Sequence, residues 1–134
     1  MAGGRNYLGP YRLVRLIRVG ATCQVWEAIN EHASNKRVAL KALVEEHLNN
    51  RQEIANLKHE FEVAKTLSLA TIIKIHEFKQ EHSRTYLVLE LFSEPNLKQL
   101  LRDQGTDFIG PIFKRIVDQI AIGLSHMHDK GWIH

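Results

Sequence analysis

The stretch Arg37-Val38-Ala39-Leu40-Lys41-Ala42-Leu43 decides the reading of this chain. It is short and mostly apolar, with Lys41 set inside it, and it reads as a β-strand. Successive side chains on a strand alternate faces. Val38, Leu40 and Ala42 therefore share one face, and Ala39, Lys41 and Leu43 share the other. An ammonium on a mostly buried strand is costly unless something anionic meets it. The expected partner is a carboxylate from a helix, a phosphate, or both in turn.

Upstream, Tyr11 to Val19 interleaves Leu, Val and Ile with Arg12, Arg15 and Arg18 and reads as a strand with a solvated face. Gly20 to Cys23 breaks it, and Gln24 to Ile29 reads as a second strand, so residues 11–29 form a hairpin. Downstream the period changes. Ile54, Leu57, Phe61, Ala64 and Ser68 fall at helical spacing, which predicts an amphipathic helix over roughly Asn50 to Ser68 with Asn50 and Glu53 as its capping pair. Ile72 to Lys79 and Thr85 to Leu91 read as two more strands. Pro95 and Asn96 open a short helix, Gly105 to Gly110 reads as a loop, and Pro111 starts a last helix that Gly131 ends. The expected fold class is α+β: a five-stranded antiparallel sheet with one packed helix, followed by a helical segment.

Composition narrows the function. The 134 residues are 44% hydrophobic and 25% charged, enough apolar content for a core and too much for disorder by composition. The net charge is +3, from 18 basic and 15 acidic residues that are interspersed. No basic block marks a nucleic-acid partner. Cys23 is the single cysteine, which excludes an internal disulfide and suits a reducing compartment, so a cytoplasmic location is expected. No apolar run reaches membrane length, and the N-terminus lacks the apolar core of a signal peptide. His126 and His128 are badly spaced to share a metal on a helix, and no metal site is expected.

These features together resemble the amino-terminal part of a eukaryotic-type protein kinase domain, over about Tyr11 to His134. Val38-Ala39-Leu40-Lys41 resembles the Val-Ala-Ile-Lys signature of the third kinase strand. Ile17 to Val25 lies where the glycine-rich loop belongs. His59 to Leu67 resembles the kinase C-helix, Tyr86 to Leu91 the strand entering the hinge, and Leu124 to His134 the helix leading to the catalytic loop. The resemblance divides the chain into an N-terminal tail (1–10), a small lobe with hinge (11–92) and the start of the large lobe (93–134).

The resemblance implies ATP as cofactor, a protein as substrate, and a role for each of several residues. Lys41 would contact the α- and β-phosphates and pair with a C-helix glutamate. Glu60 fits that position. Glu53 is the rival on the same helix face, but it sits in the first turn, where capping suffices. Ile17, Val25 and Ala39 would cover the adenine. Leu89 sits at the gatekeeper position, with the Glu90 carbonyl and the Phe92 amide as adenine partners. The glycine loop departs from Gly-x-Gly-x-x-Gly: only Gly20 is present, with Arg18 and Cys23 in place of its neighbours. Arg18 reads either as a solvated side chain or as a cation near the phosphates. Cys23 reads as a small filler or as a reactive thiol.

His134 falls on the first residue of the family's His-Arg-Asp loop. The catalytic aspartate, the magnesium ligands and the activation segment would follow it. The expectation is that these 134 residues alone are inactive and read as a fragment, whose apolar last helix associates with the rest of a large lobe or with a partner. Mg2+ is expected for a complete domain only. The alternative function is a pseudokinase or nucleotide-binding scaffold without phosphotransfer.

Overall fold

A computed structural model describes residues 6–133. The fold is α+β. The elements are β1 (Tyr7–Leu8), β2 (Tyr11–Val19), β3 (Cys23–Asn30), β4 (Lys36–Leu43), α1 (Arg51–Ala64), β5 (Ile75–Glu81), β6 (Arg84–Leu89), α2 (Leu97–Ile109) and α3 (Phe113–Asp129), with short 3₁₀ turns at Glu45–His47 and Gly110–Ile112. They fall into two compact units. One comprises residues up to Lys65 together with Ile73–Leu91, and the other Thr66–Ile72 together with the residues from Phe92 on.

The first unit is a six-stranded antiparallel sheet in the order β1-β2-β3-β4-β6-β5. The five strands expected from the sequence are all present. The sixth, β1, is a two-residue edge strand that pairs Leu8 with Tyr11. The alternation in β4 sorts the core. Val38 and Leu40 join Leu8, Tyr11, Ala28, Tyr86 and Val88 in one buried cluster, against which Ala42 packs. Leu43 joins Leu57 of α1 and Leu87 in a second cluster, flanked by Ile54, Phe61 and Phe78. Burying a side chain such as Leu40, which is fully enclosed, contributes about 2 kcal/mol.

Two bulges in β2 matter for the site. Its register against β3 slips between Leu13 and Arg15 and again between Leu16 and Arg18. A bulge adds one residue to one strand and so rephases its faces. Arg12, Arg15 and Arg18 thereby stand opposite Ile29, Glu27 and Val25, which are alternate residues of β3 and lie on one face.

Helix α1 begins with half of the expected capping pair: the Asn50 side chain accepts hydrogen bonds from the Gln52 and Glu53 amides, but the Asn50 amide donates to the His47 carbonyl rather than to the Glu53 carboxylate, which Asn56 engages. It ends sooner than the apolar spacing suggests, at Ala64. The next residues belong to the second unit, where the Ser68 amide donates to His126 Nε2 (3.3 Å) and the Trp132 indole donates to the Thr66 hydroxyl (2.8 Å). For the same reason β5 starts at Ile75: the Ile72 amide closes a turn onto the Leu69 carbonyl.

In the second unit, Asn96 and Gln99 form a reciprocal capping box at the start of α2. The expected loop after Gly105 is instead a break within a helical run, taken up by Gly105 alone with φ 76°. Pro111 lies in the 3₁₀ turn that leads into α3, and Gly131 follows α3 with φ 82°.

Candidate active site

Lys41 leaves β4 on the α1 side of the sheet. Its Nζ lies 2.7 Å from Glu60 Oε2. Of the two glutamates weighed as its partner, Glu60 makes the contact. Glu53 instead accepts from the Asn56 side chain at 3.3 Å, and Glu62, on another face of α1, pairs with Lys65. The Lys41 and Glu60 side chains are 30% and 39% exposed. An ion pair this open to water contributes at most about 1 kcal/mol to stability. Holding a lysine on a central strand therefore has little stabilising return.

The pair lines a hollow of about 320 Å³ whose wall also includes Arg18, Gly20, Cys23 and Val25. Cross-strand register explains the grouping: Val25 stands opposite Arg18 on one side and Lys41 on the other. The next row on that face is Arg15, Glu27, Ala39 and Leu89. Ala39 is buried and Leu89 half-buried, so the sheet presents a small apolar surface beside the charged hollow. Ile17 has no ladder partner at the second bulge and is exposed. The Glu90 amide donates to the Lys74 carbonyl (2.9 Å), and its carboxylate accepts from the Lys74 amide (3.2 Å). Phe92 is exposed and belongs to the second unit. A larger hollow of about 740 Å³ is lined by Tyr7, Trp26, Ala42 and Glu81 and contains none of the expected site residues.

The β2–β3 turn is tight. The Gly20 amide donates to the Cys23 carbonyl (2.8 Å), and the Thr22 carbonyl accepts from the Val44 amide at the end of β4 (2.9 Å). A Cβ on Gly20 would come within 3.1 Å of that Cys23 oxygen, so the closure favours glycine there. Cys23 Sγ is 3.8 Å from the Thr22 hydroxyl and packs beside Leu43 and Leu57.

One charged cluster escaped the sequence reading. Glu27 is 2% exposed and is held by Arg15 (3.0 Å) and by Arg37. Alternation alone could not place Arg15 opposite Glu27, because the bulge at Leu13/Arg15 sets that register. Among the described residues no group of three or more His, Cys, Asp or Glu side chains could hold a metal ion, and no helix is long and apolar enough to cross a membrane.

Comparison with known proteins identifies the architecture. The sequence model of the protein kinase domain matches residues 11–134. The chain belongs to the protein kinase family. Serine/threonine-protein kinase PknA of Mycobacterium tuberculosis is 29% identical over 136 residues, covering 98% of this chain and 31% of PknA. CBL-interacting protein kinase 30 of Oryza sativa subsp. japonica is 27% identical over 127 residues, covering 95% of this chain and 26% of that kinase. A crystal structure of a mutant Mycobacterium tuberculosis PknI kinase domain superposes with a TM-score of 0.75 at 20% identity, covering 100% of this chain and 55% of that domain. The fold is thus a protein kinase fold, and the chain spans a minor share of its curated relatives' length.

Proposed function

We propose that this chain carries the ATP-binding part of a protein serine/threonine kinase. The observation that carries the reading is the Lys41–Glu60 contact at the edge of an open hollow. Lys41 would hold the α- and β-phosphates and Glu60 would hold Lys41. Ile17, Val25 and Ala39 would cover the adenine, whose edge would meet the Glu90 carbonyl and the Phe92 amide beside Leu89. Serine and threonine as acceptors are supported by the name of the similar serine/threonine-protein kinase PknA. Mg2+ would belong to the complete domain, held by residues that follow the position of His134 in the family.

Lys41→Met tests the nucleotide site. Mg-ATP should raise the melting temperature of the parent by a few degrees, as binding to the native state alone requires, and should leave the variant unmoved. Equal shifts in both would remove Lys41 from the site. Residues 1–134 alone should bind nucleotide yet transfer no phosphate to a protein substrate. Transfer from labelled ATP that disappears in Lys41→Met would refute that second half.

A second reading, a nucleotide-binding scaffold without phosphotransfer, is favoured by the tight β2–β3 turn and its single Gly20. A longer protein that carries the family's catalytic aspartate and still transfers no phosphate would favour this reading.

A further inference from the structure

The β2–β3 turn poses a chemical problem for any phosphate bound above it. A glycine loop binds phosphate through backbone amides that nothing else uses and that no Cβ obstructs. Here the Gly20 amide is committed to the Cys23 carbonyl. The Thr22 carbonyl is tied to Val44, which pins the tip of the turn to the end of β4. The family's other two glycine positions carry Arg18 and Cys23. One backbone donor of the turn is therefore already spent, side chains stand at two of the family's three glycine positions, and part of a triphosphate's negative charge falls to side chains.

The second bulge supplies one. Slippage between Leu16 and Arg18 sets Arg18 opposite Val25, which itself faces Lys41 in the next strand. Arg18 and Lys41 are thus two cations in one cross-strand row, with a single apolar residue between them, and both line the same hollow. The two differ in their counter-charges. Lys41 is paired with Glu60. The other two arginines of β2 are likewise satisfied, Arg12 by Glu31 and Arg15 by Glu27. Arg18 forms no ion pair among the described residues, and it is exposed. Glu53, the other carboxylate of the hollow, is engaged by Asn56.

We propose that Arg18 is a phosphate-binding side chain, which together with Lys41 clamps the phosphates of a nucleoside triphosphate at a turn that keeps only one of the loop's glycines. The inference rests on reading the hollow as a nucleotide site. A guanidinium suits the role because its planar N–H edges bond two phosphate oxygens at once. The clamp recognises the phosphate chain and is indifferent to the base.

The test uses the 134-residue protein and titrations with Mg-ATP, adenosine and inorganic tripolyphosphate. Arg18→Ala should weaken ATP by about tenfold, the scale of a lost charge-assisted contact. Adenosine should be unaffected, and tripolyphosphate should suffer the same loss as ATP. Arg18→Lys should restore most of the ATP affinity. Arg18→Gly is the decisive variant, because it returns the position to the family pattern. The clamp predicts weaker ATP binding for it, whereas a side chain that merely obstructs the loop predicts tighter binding. Tighter binding by Arg18→Gly, or an unchanged Arg18→Ala alongside a weakened Lys41→Met, would overturn the proposal while leaving the nucleotide site standing. Absence of ATP binding by the parent protein would overturn both. Arg18 is exposed, so matched melting curves without ligand are expected for all the variants.

Discussion

Tyr86 is the largest fully enclosed side chain of the sheet's first core cluster. It is fully buried, meets Tyr11 edge-on at 6.3 Å between ring centroids, and donates its hydroxyl to Glu81. Gly9 closes over this pair. Its φ of +56° suits glycine, and any Cβ there would overlap both Tyr86 Oη and Glu81 Oε1. Burial first, and the Glu81 hydrogen bond second, hold the Tyr86 phenol far above the ordinary tyrosine range. Burial raises Tyr11 as well. A group whose folded pKa is raised has its full stabilising effect below its unfolded pKa and loses it as pH climbs beyond that value. Above pH ~10 the unfolded chain sheds phenolic protons that the folded chain keeps, so stability falls by about 1.4 kcal/mol per pH unit for each such group. Between pH 9 and 11, denaturant unfolding should show the parent losing about 1.4 kcal/mol more than Tyr86→Phe. Parallel losses would mean that the buried phenol is not the alkaline-sensitive group.

At the scale of elements, helix α1 carries Glu60 to Lys41, and its position depends on how it starts. Asn50 Oδ1 accepts from the Gln52 amide at 3.0 Å and from the Glu53 amide at 3.3 Å. Asn50→Ala should destabilise the protein by about 1 kcal/mol, and Asn50→Asp should not. Urea midpoints with unchanged slopes would check this, and an Ala variant as stable as the parent would show the cap to be redundant. This start was legible from residue types alone, as were the five main strands, because caps and alternation are local. What could not be read was set by distant partners. Helix α1 stops at Ala64 because the polar groups of Thr66 and Ser68 bond to Trp132 and His126. The three arginines of β2 share one face only because β3 sets two register slips, whereas strict alternation would place Arg12 and Arg15 on opposite faces. A charge on a mostly apolar strand called for an anionic partner, and the resemblance to the kinase C-helix pointed to Glu60 as that partner. Arg18 remained ambiguous because its orientation depends on one of those slips.

At the scale of the molecule, burial is uneven. Among the described residues, every buried hydrophobic residue apart from Ile109 lies in the first unit. Helix α3 buries none of its residues, and Phe113, Val117, Ile120 and Ile122 are all exposed. Local stability follows buried apolar contact, since an element opens without global unfolding when little core is lost by opening it. Strands β4 and β6, packed between clusters on both faces of the sheet, should open only when the whole unit unfolds. Helix α3 should open on its own, held by backbone hydrogen bonds and a few surface contacts such as Lys114–Asp118 at 2.6 Å. Native-state hydrogen exchange on the 134-residue protein should therefore find the amides of Val38–Leu43 and Thr85–Leu89 slowest. Those of Phe113–Asp129 should exchange at least about a hundredfold faster, equivalent to roughly 3 kcal/mol of local stability. Equal protection in α3 and β4 would mean that the exposed apolar face of α3 is covered in solution. Dilution then separates the causes: cover by a second copy is lost as concentration falls, and cover within one chain is not.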